Sequence, residues 1–217
     1  TTSAAAPASA APASAAPVGD LDGTGIASAM VMASLKAGSG SFDMKTTSTA
    51  NGATVTMTGT SQYVVVNGAM DSEATMSFNG VTMDMINVGG VMYIKGMFTS
   101  KDGKPWVKID PEGTDSLSKQ LAPTLKQSAD LRTQVEMYKG STATLVDTVN
   151  GVRHYRLVGV AGAPTQPFDI YLDDQDRPVK VTTTSASMDM TVTYSGYGKP
   201  VTVKAPPASL VGPPPSM

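Results

Sequence analysis

Few residues in this chain carry types and spacings that can do covalent chemistry. His154 is the only histidine, and the chain has no cysteine. A catalytic histidine needs a nucleophile and an orienting acid. No Gly-x-Ser-x-Gly elbow supplies the first, so His154 reads as a strand residue. Ser116-Leu117-Ser118-Lys119 matches the Ser-x-x-Lys pattern of acyl-enzyme chemistry. The Ser-Asp-Asn and Lys-Thr-Gly partners are missing, which leaves a polar helix face. Asp173, Asp174 and Asp176 gather carboxylates and suggest calcium at first sight, but not at the alternating spacing of a calcium loop. They lack its central glycine and closing glutamate, and Arg177-Pro178 follow directly, so they read as a hairpin tip. Asp20-Leu21-Asp22-Gly23 is too short for the same role, and Asp22 or Thr24 suits a helix cap. Gly23-Thr24-Gly25 has neither a preceding strand nor a third glycine, which excludes a nucleotide fingerprint. The reading is therefore of a non-enzyme with no cofactor, no catalytic residue and no zinc, calcium or thiolate metal site.

The unusual chemistry is non-covalent. The chain contains 14 methionines in 217 residues. Thioether side chains are flexible and polarizable, and they serve where an apolar surface adapts to variable shapes. A second cluster sets Lys95, Lys101 and Lys104 around Met97, Phe98 and Trp106. It reads as a solvated hairpin loop, or as a patch meeting anionic headgroups or a partner. The net charge of −2 gives no electrostatic case for nucleic acid.

The elements that position these residues follow from periodicity. Residues 1–20 are rich in Ala, Pro and Ser and read as a flexible tether. Gly25–Ala37 reads as a helix ending at Gly38 and apolar nearly all round. The period then changes to two over Phe42–Thr46, Thr54–Gly59, Met70–Phe78, Val81–Met85, Val91–Lys95 and Trp106–Ile109. Asn51-Gly52, Asn67-Gly68, Asn79-Gly80 and Gly89-Gly90 are the turns. Asp110-Pro111 is the expected start of a helical region through Leu117, Leu121 and Leu125, kinked or divided at Pro123. A third helix is expected over Asp130–Lys139. Strands resume at Ala143–Val149, Val152–Val160, Phe168–Leu172, Pro178–Ser185 and Met188–Tyr194. Residues 206–217 read as a Pro-rich tail without regular structure. The fold class is α+β: about ten or eleven antiparallel strands in one strongly bent, unclosed half-barrel, with about three helices on its concave apolar face, spanning 21–205.

Four segments resemble the actinobacterial envelope lipoproteins of the LppX/LprG type, which share the fold of the lipoprotein carrier LolA. They are Gly38-Ser39-Gly40-Ser41-Phe42 after the apolar helix, Val91–Lys95 with Trp106–Ile109, the hairpin Phe168–Val179, and Tyr194–Val201. The resemblance implies a non-catalytic protein that binds or shuttles a lipid or glycolipid-like ligand in an apolar cavity. It also implies an extracytoplasmic place on the outer face of the cell membrane. There it is held by an acyl chain such as palmitate on a cysteine just after a signal peptide. That cysteine is absent from this sequence, and the Ala/Pro tether resembles the spacer that such proteins carry behind it. The expected cavity lining is Met30, Leu35, Met44, Met57, Met76, Phe78, Met83, Met85, Tyr93, Phe168, Ile170, Met188 and Met190. The alternative is an envelope interaction or sensor module of the same fold, with a filled core and a protein partner.

Overall fold

The computed structural model describes residues 22–50, 52–129 and 135–215. It opens on helix α1 (Gly23–Ala37), which the Asp22 carboxylate caps by accepting from the Gly25 backbone N–H at 2.7 Å. Gly38 closes the helix in the left-handed conformation at φ 75°. Six strands follow: β1 (Ser39–Ala50), β2 (Ala53–Val66), β3 (Ala69–Phe78), β4 (Val81–Val88), β5 (Val91–Lys95) and β6 (Trp106–Ile109). Helix α2 (Ser116–Ala129) precedes β7 (Thr142–Val149), β8 (Val152–Val158), β9 (Phe168–Leu172), β10 (Pro178–Thr184), β11 (Met188–Ser195) and the two-residue β12 (Val211–Gly212).

All twelve strands form one sheet in the order β12-β6-β5-β4-β3-β2-β1-β11-β10-β9-β8-β7, and the two end strands do not pair. The sheet is therefore unclosed. Every neighbouring pair is antiparallel except β12 with β6. The tight hairpins fall where Asn-Gly predicts them. Asn67, Asn79 and Asn150 take positive φ, as a two-residue turn of the primed type requires.

Two cores form on one face of this sheet. Under α1, Ile26 packs with Tyr155, Leu157, Ile170, Leu172, Val181 and Val192. Under α2, Leu117 and Leu125 pack on Ile94, Val107 and Ile109. Each core sits beneath one helix, at opposite ends of the strand order.

The structure corrects the sequence reading in four places. Of the three expected α-helices, two are described whole. Residues 130–134 of the helix expected over Asp130–Lys139 lie outside the described residues, Val135 and Glu136 are helical, and the chain is turn from Met137 to Gly140, so the helix stops short of Lys139. Helix α2 starts at Ser116, not at Pro111, because Asp115 supplies the cap: its carboxylate accepts from the Ser118 N–H at 2.8 Å. Of the two outcomes expected at Pro123, division does not occur: α2 runs through it. Finally, the C-terminal segment is not wholly a tail. Val211 and Gly212 pair with Trp106 and Val107, and Lys101 N donates to Pro213 O at 3.1 Å.

That last contact is close-fitting. A Cβ on Gly212 would sit 2.0 Å from Asp102 Oδ1 and 2.6 Å from Ser100 Oγ. Gly212→Ala should therefore unseat β12 and lower stability by about 1–3 kcal/mol in urea denaturation. Leu157→Ala, at a fully buried position beneath α1, should cost about 2–5 kcal/mol by opening a cavity.

Candidate hydrophobic-ligand site

Because residues directly opposite one another in a sheet share a face, the register assigns every expected lining residue on a strand. Rows run Phe42–Ser61–Ala74–Met85, then Met44–Gly59–Met76–Met83, then Thr46–Met57–Phe78–Val81. On the other flank of β1, Met44 pairs with Val192, Thr46 with Met190 and Ser48 with Met188. Phe168 and Ile170 pair with Leu157 and Tyr155. Met44, Met57, Met76, Phe78, Met83, Met85, Phe168, Ile170, Met188 and Met190 thus share the face that carries both helices.

Two members of the expected lining lie off this face, and a third lies on it but is buried. Tyr93 pairs with Ile86 and Lys108 on the opposite face, while its neighbours Met92 and Ile94 turn toward the helices. Leu35 lies on the side of α1 away from Met30, in a depression with Met32, Lys36, Gln175 and Asp176. Ile170 is on the right face but fully buried in the α1 core, where it lines no space. The helix itself is not buried all round, since Met32 is 65% exposed.

The helix-bearing face is not uniformly covered. Met44 and Met190 pack against the α1 core, and Met83 and Met85 against the α2 core. Val55, Met57, Met76, Phe78 and Val81 lie between the two and belong to neither. Phe78 is 50% and Val81 58% exposed. This strip runs row by row into an open cleft of about 360 Å³ between α1 and strands β1–β3. Met30, Val31, Phe42, Tyr63, Met70 and Tyr194 supply its apolar walls, and Ser34, Ser61 and Ser72 its hydroxyls. Among the described residues no charged side chain lines it. The volume falls within the ~300–1,000 Å³ typical of small-molecule sites.

Electrostatics in the cleft favour neutral groups. Burial lifts the Tyr194 phenol well above its ordinary value of 10.0. Burial also raises Tyr63, against a smaller opposing hydrogen bond with Ser34. The Ser61 hydroxyl is already spent on Glu73 O at 3.0 Å. Such a wall offers apolar contact and few fixed polar partners.

The opposite face is polar. His154 Nε2 lies 2.9 Å from Asp169 Oδ1, its Nδ1 lies 3.6 Å from Asp147, and its ring stacks on Tyr171 at 4.3 Å. Arg156 Nε donates to the same Asp169 at 2.9 Å. Burial pushes the Asp169 carboxyl up, but hydrogen bonds from Arg156 and His154 outweigh it and hold the group below its ordinary value. The cluster ties β8 to β9. Ser116 and Lys119 are exposed on α2, and buried Ser118 accepts from Asp110 N at 3.1 Å. Asp173 accepts from Arg177 at 2.7 Å and from the Gln175 N–H at 2.9 Å, as a hairpin tip does.

The lysine cluster divides. Lys95 pairs with Asp84 at 3.1 Å and lies 5.8 Å over the Trp106 ring. Lys104 pairs with Asp102 at 3.4 Å and donates to Val211 O at 3.1 Å. Phe98 packs into the α2 core while Met97 stays exposed. Lys101 is exposed, and its backbone N–H holds the C-terminal segment. Two of these three lysines therefore have a carboxylate partner.

No family model matches the chain, and no curated protein matches it. Among solved structures it is similar to the Mycobacterium tuberculosis lipoprotein LppX, at 14% identity over 82% of this chain and 98% of that one, with a TM-score of 0.49. It is also similar to LprF from Mycobacterium bovis, at 15% identity over 85% and 96%, with a TM-score of 0.46. A LolA superfamily protein from Nitrosomonas europaea aligns at 8% identity over 81% and 92%, with a TM-score of 0.31. These are proteins of the type that the four sequence segments resemble.

The raised tyrosines set a pH dependence. A phenol kept neutral in the fold but free to ionise when unfolded contributes stability below pH about 10 that is lost as pH rises above it. The urea midpoint should therefore fall on the alkaline side, and Tyr194→Phe should flatten that fall. Tyrosine ultraviolet absorbance showing Tyr194 ionising near its ordinary value in folded protein would contradict the assignment.

Proposed function

We propose that the chain is a non-catalytic protein of the cell envelope that holds the acyl part of a lipid or glycolipid against the helix-bearing face of its sheet. The observation that carries this reading is the uncovered strip Met57–Met76–Phe78–Val81 and its continuity with the uncharged cleft under Met30 and Tyr194. An acyl chain laid along the strip removes apolar area from water at about 25 cal/mol per Å², which is enough to bind without fixed polar contacts. Thioethers suit this because they repack around chains of different length and saturation. The place we propose is extracytoplasmic, at the outer face of the cell membrane. An N-terminal lipid anchor such as palmitate would hold the protein there, with residues 1–20 as spacer.

A second reading has one observation in its favour. The interior under α1 is solid, with Ile26, Leu157 and Ile170 fully buried. The same strip would then meet an apolar segment of an envelope protein and not a lipid.

A fluorescent fatty-acid probe separates the two. The purified protein should take it up, and Met57→Glu with Phe78→Glu should weaken uptake about tenfold, or ~1.4 kcal/mol, with little change in melting temperature. Acyl lipids should also appear by native mass spectrometry of protein recovered from envelope fractions. No uptake by the unaltered protein would favour the protein-partner reading.

A further inference from the structure

The row Met44–Gly59–Met76–Met83 has a property that apolar contact does not require. Met76 and Met83 are directly opposed across β3 and β4. Met44 reaches the same place from the other side, because Gly59 between them has no side chain. A Cβ built on Gly59 would lie 3.2 Å from Met76 Cγ and 3.7 Å from Met44 Cε. Met44 and Met76 therefore close over the glycine, next to Met83. All three are half-buried, so the cluster is sheltered yet reachable.

We propose that Met44, Met76 and Met83 form a thioether site for a soft monovalent cation, the cuprous ion or its analogue silver(I). Neutral thioethers are poor ligands for zinc, calcium or magnesium, but they select soft d¹⁰ ions. Zinc and calcium chemistry needs His, Cys or carboxylate clusters. Among the described residues, no three such side chains gather. The only histidine faces the other side of the sheet, paired with Asp147 and Tyr171. Thioethers are the soft donors this face offers. Methionine's three rotatable bonds allow the sulfurs to converge on an ion without moving the backbone. The site goes beyond lipid holding, although it lies on the same face.

Silver nitrate titration in chloride-free, thiol-free buffer tests this. The readout is the methyl signals of methionine labelled with ¹³C at Cε. Met44, Met76 and Met83 should shift together and saturate at one silver per chain. Replacing any of the three by leucine keeps volume and apolarity, and each replacement should weaken binding at least about tenfold. Gly59→Ala keeps every thioether but fills the space between them, and it should weaken binding as well. Fatty-acid probe uptake by the unaltered protein, measured in parallel without silver, reads the lipid site separately. Uptake without silver binding overturns the metal site alone and leaves the lipid reading standing. The metal site is also overturned by shifts confined to exposed Met32, Met97 and Met137, by no saturable shift, or by a triple leucine variant that binds like the parent.

Discussion

An unclosed sheet of twelve strands presents a long apolar face, and two helices of about four turns each cover only its two ends. This mismatch of areas governs the molecule. Helix α1 closes a core over β7–β11 and the flank of β1, and α2 closes another over β4–β6. The strands between them, β2 and β3, keep the same pleat and the same inward apolar pattern, and their stretch from Val55 and Met57 to Met76 and Phe78 belongs to neither core. A strip of methionine, valine and phenylalanine is left half-exposed as a consequence of geometry. Water contact with such a strip is unfavourable in proportion to its area, so it is a standing invitation to an apolar partner.

The residues chosen for the strip sharpen the point. Valine or isoleucine would suit the strands better by propensity. Methionine has weaker strand preference but fits irregular surfaces, and Met44 and Met76 approach one another over Gly59, which has no side chain to keep them apart. The polar chemistry is kept to the other face, where His154, Asp169 and Arg156 link strands and Asp84 and Lys95 pair beside Trp106. The two faces are thus separated in role by the alternation of a single pleat.

Much of this is legible in the sequence. The alternation of Phe42, Met44 and Thr46 with charged neighbours, and each Asn-Gly turn, locate the strands and phase most of them. Tyr93 escapes that reading because Val91–Lys95 is apolar in both phases, and only its pairing with Lys108 decides which side faces out. Leu35 escapes it because α1 is apolar nearly all round, so no sequence periodicity distinguishes its buried side. Val211–Gly212 carries no strand signal, since two residues flanked by prolines pair only because Ser100–Lys104 folds back to receive them. Asp115 is a readable cap signal for α2 that the more conspicuous Asp110-Pro111 obscures. What no sequence pattern conveys is coverage: whether a helix sits over a given methionine depends on where the loops let that helix land.

The central claim is that the strip between the two cores receives an apolar molecule. A crystal structure of the protein with a bromine-labelled fatty acid tests it most directly, since the anomalous signal of bromine marks the chain without interpretation of weak density. The account predicts bromine along Met57, Met76 and Phe78 and toward the Met30–Tyr194 cleft. Bromine only in the depression beside Leu35 and Met32, or on the polar face near Trp106, would contradict it.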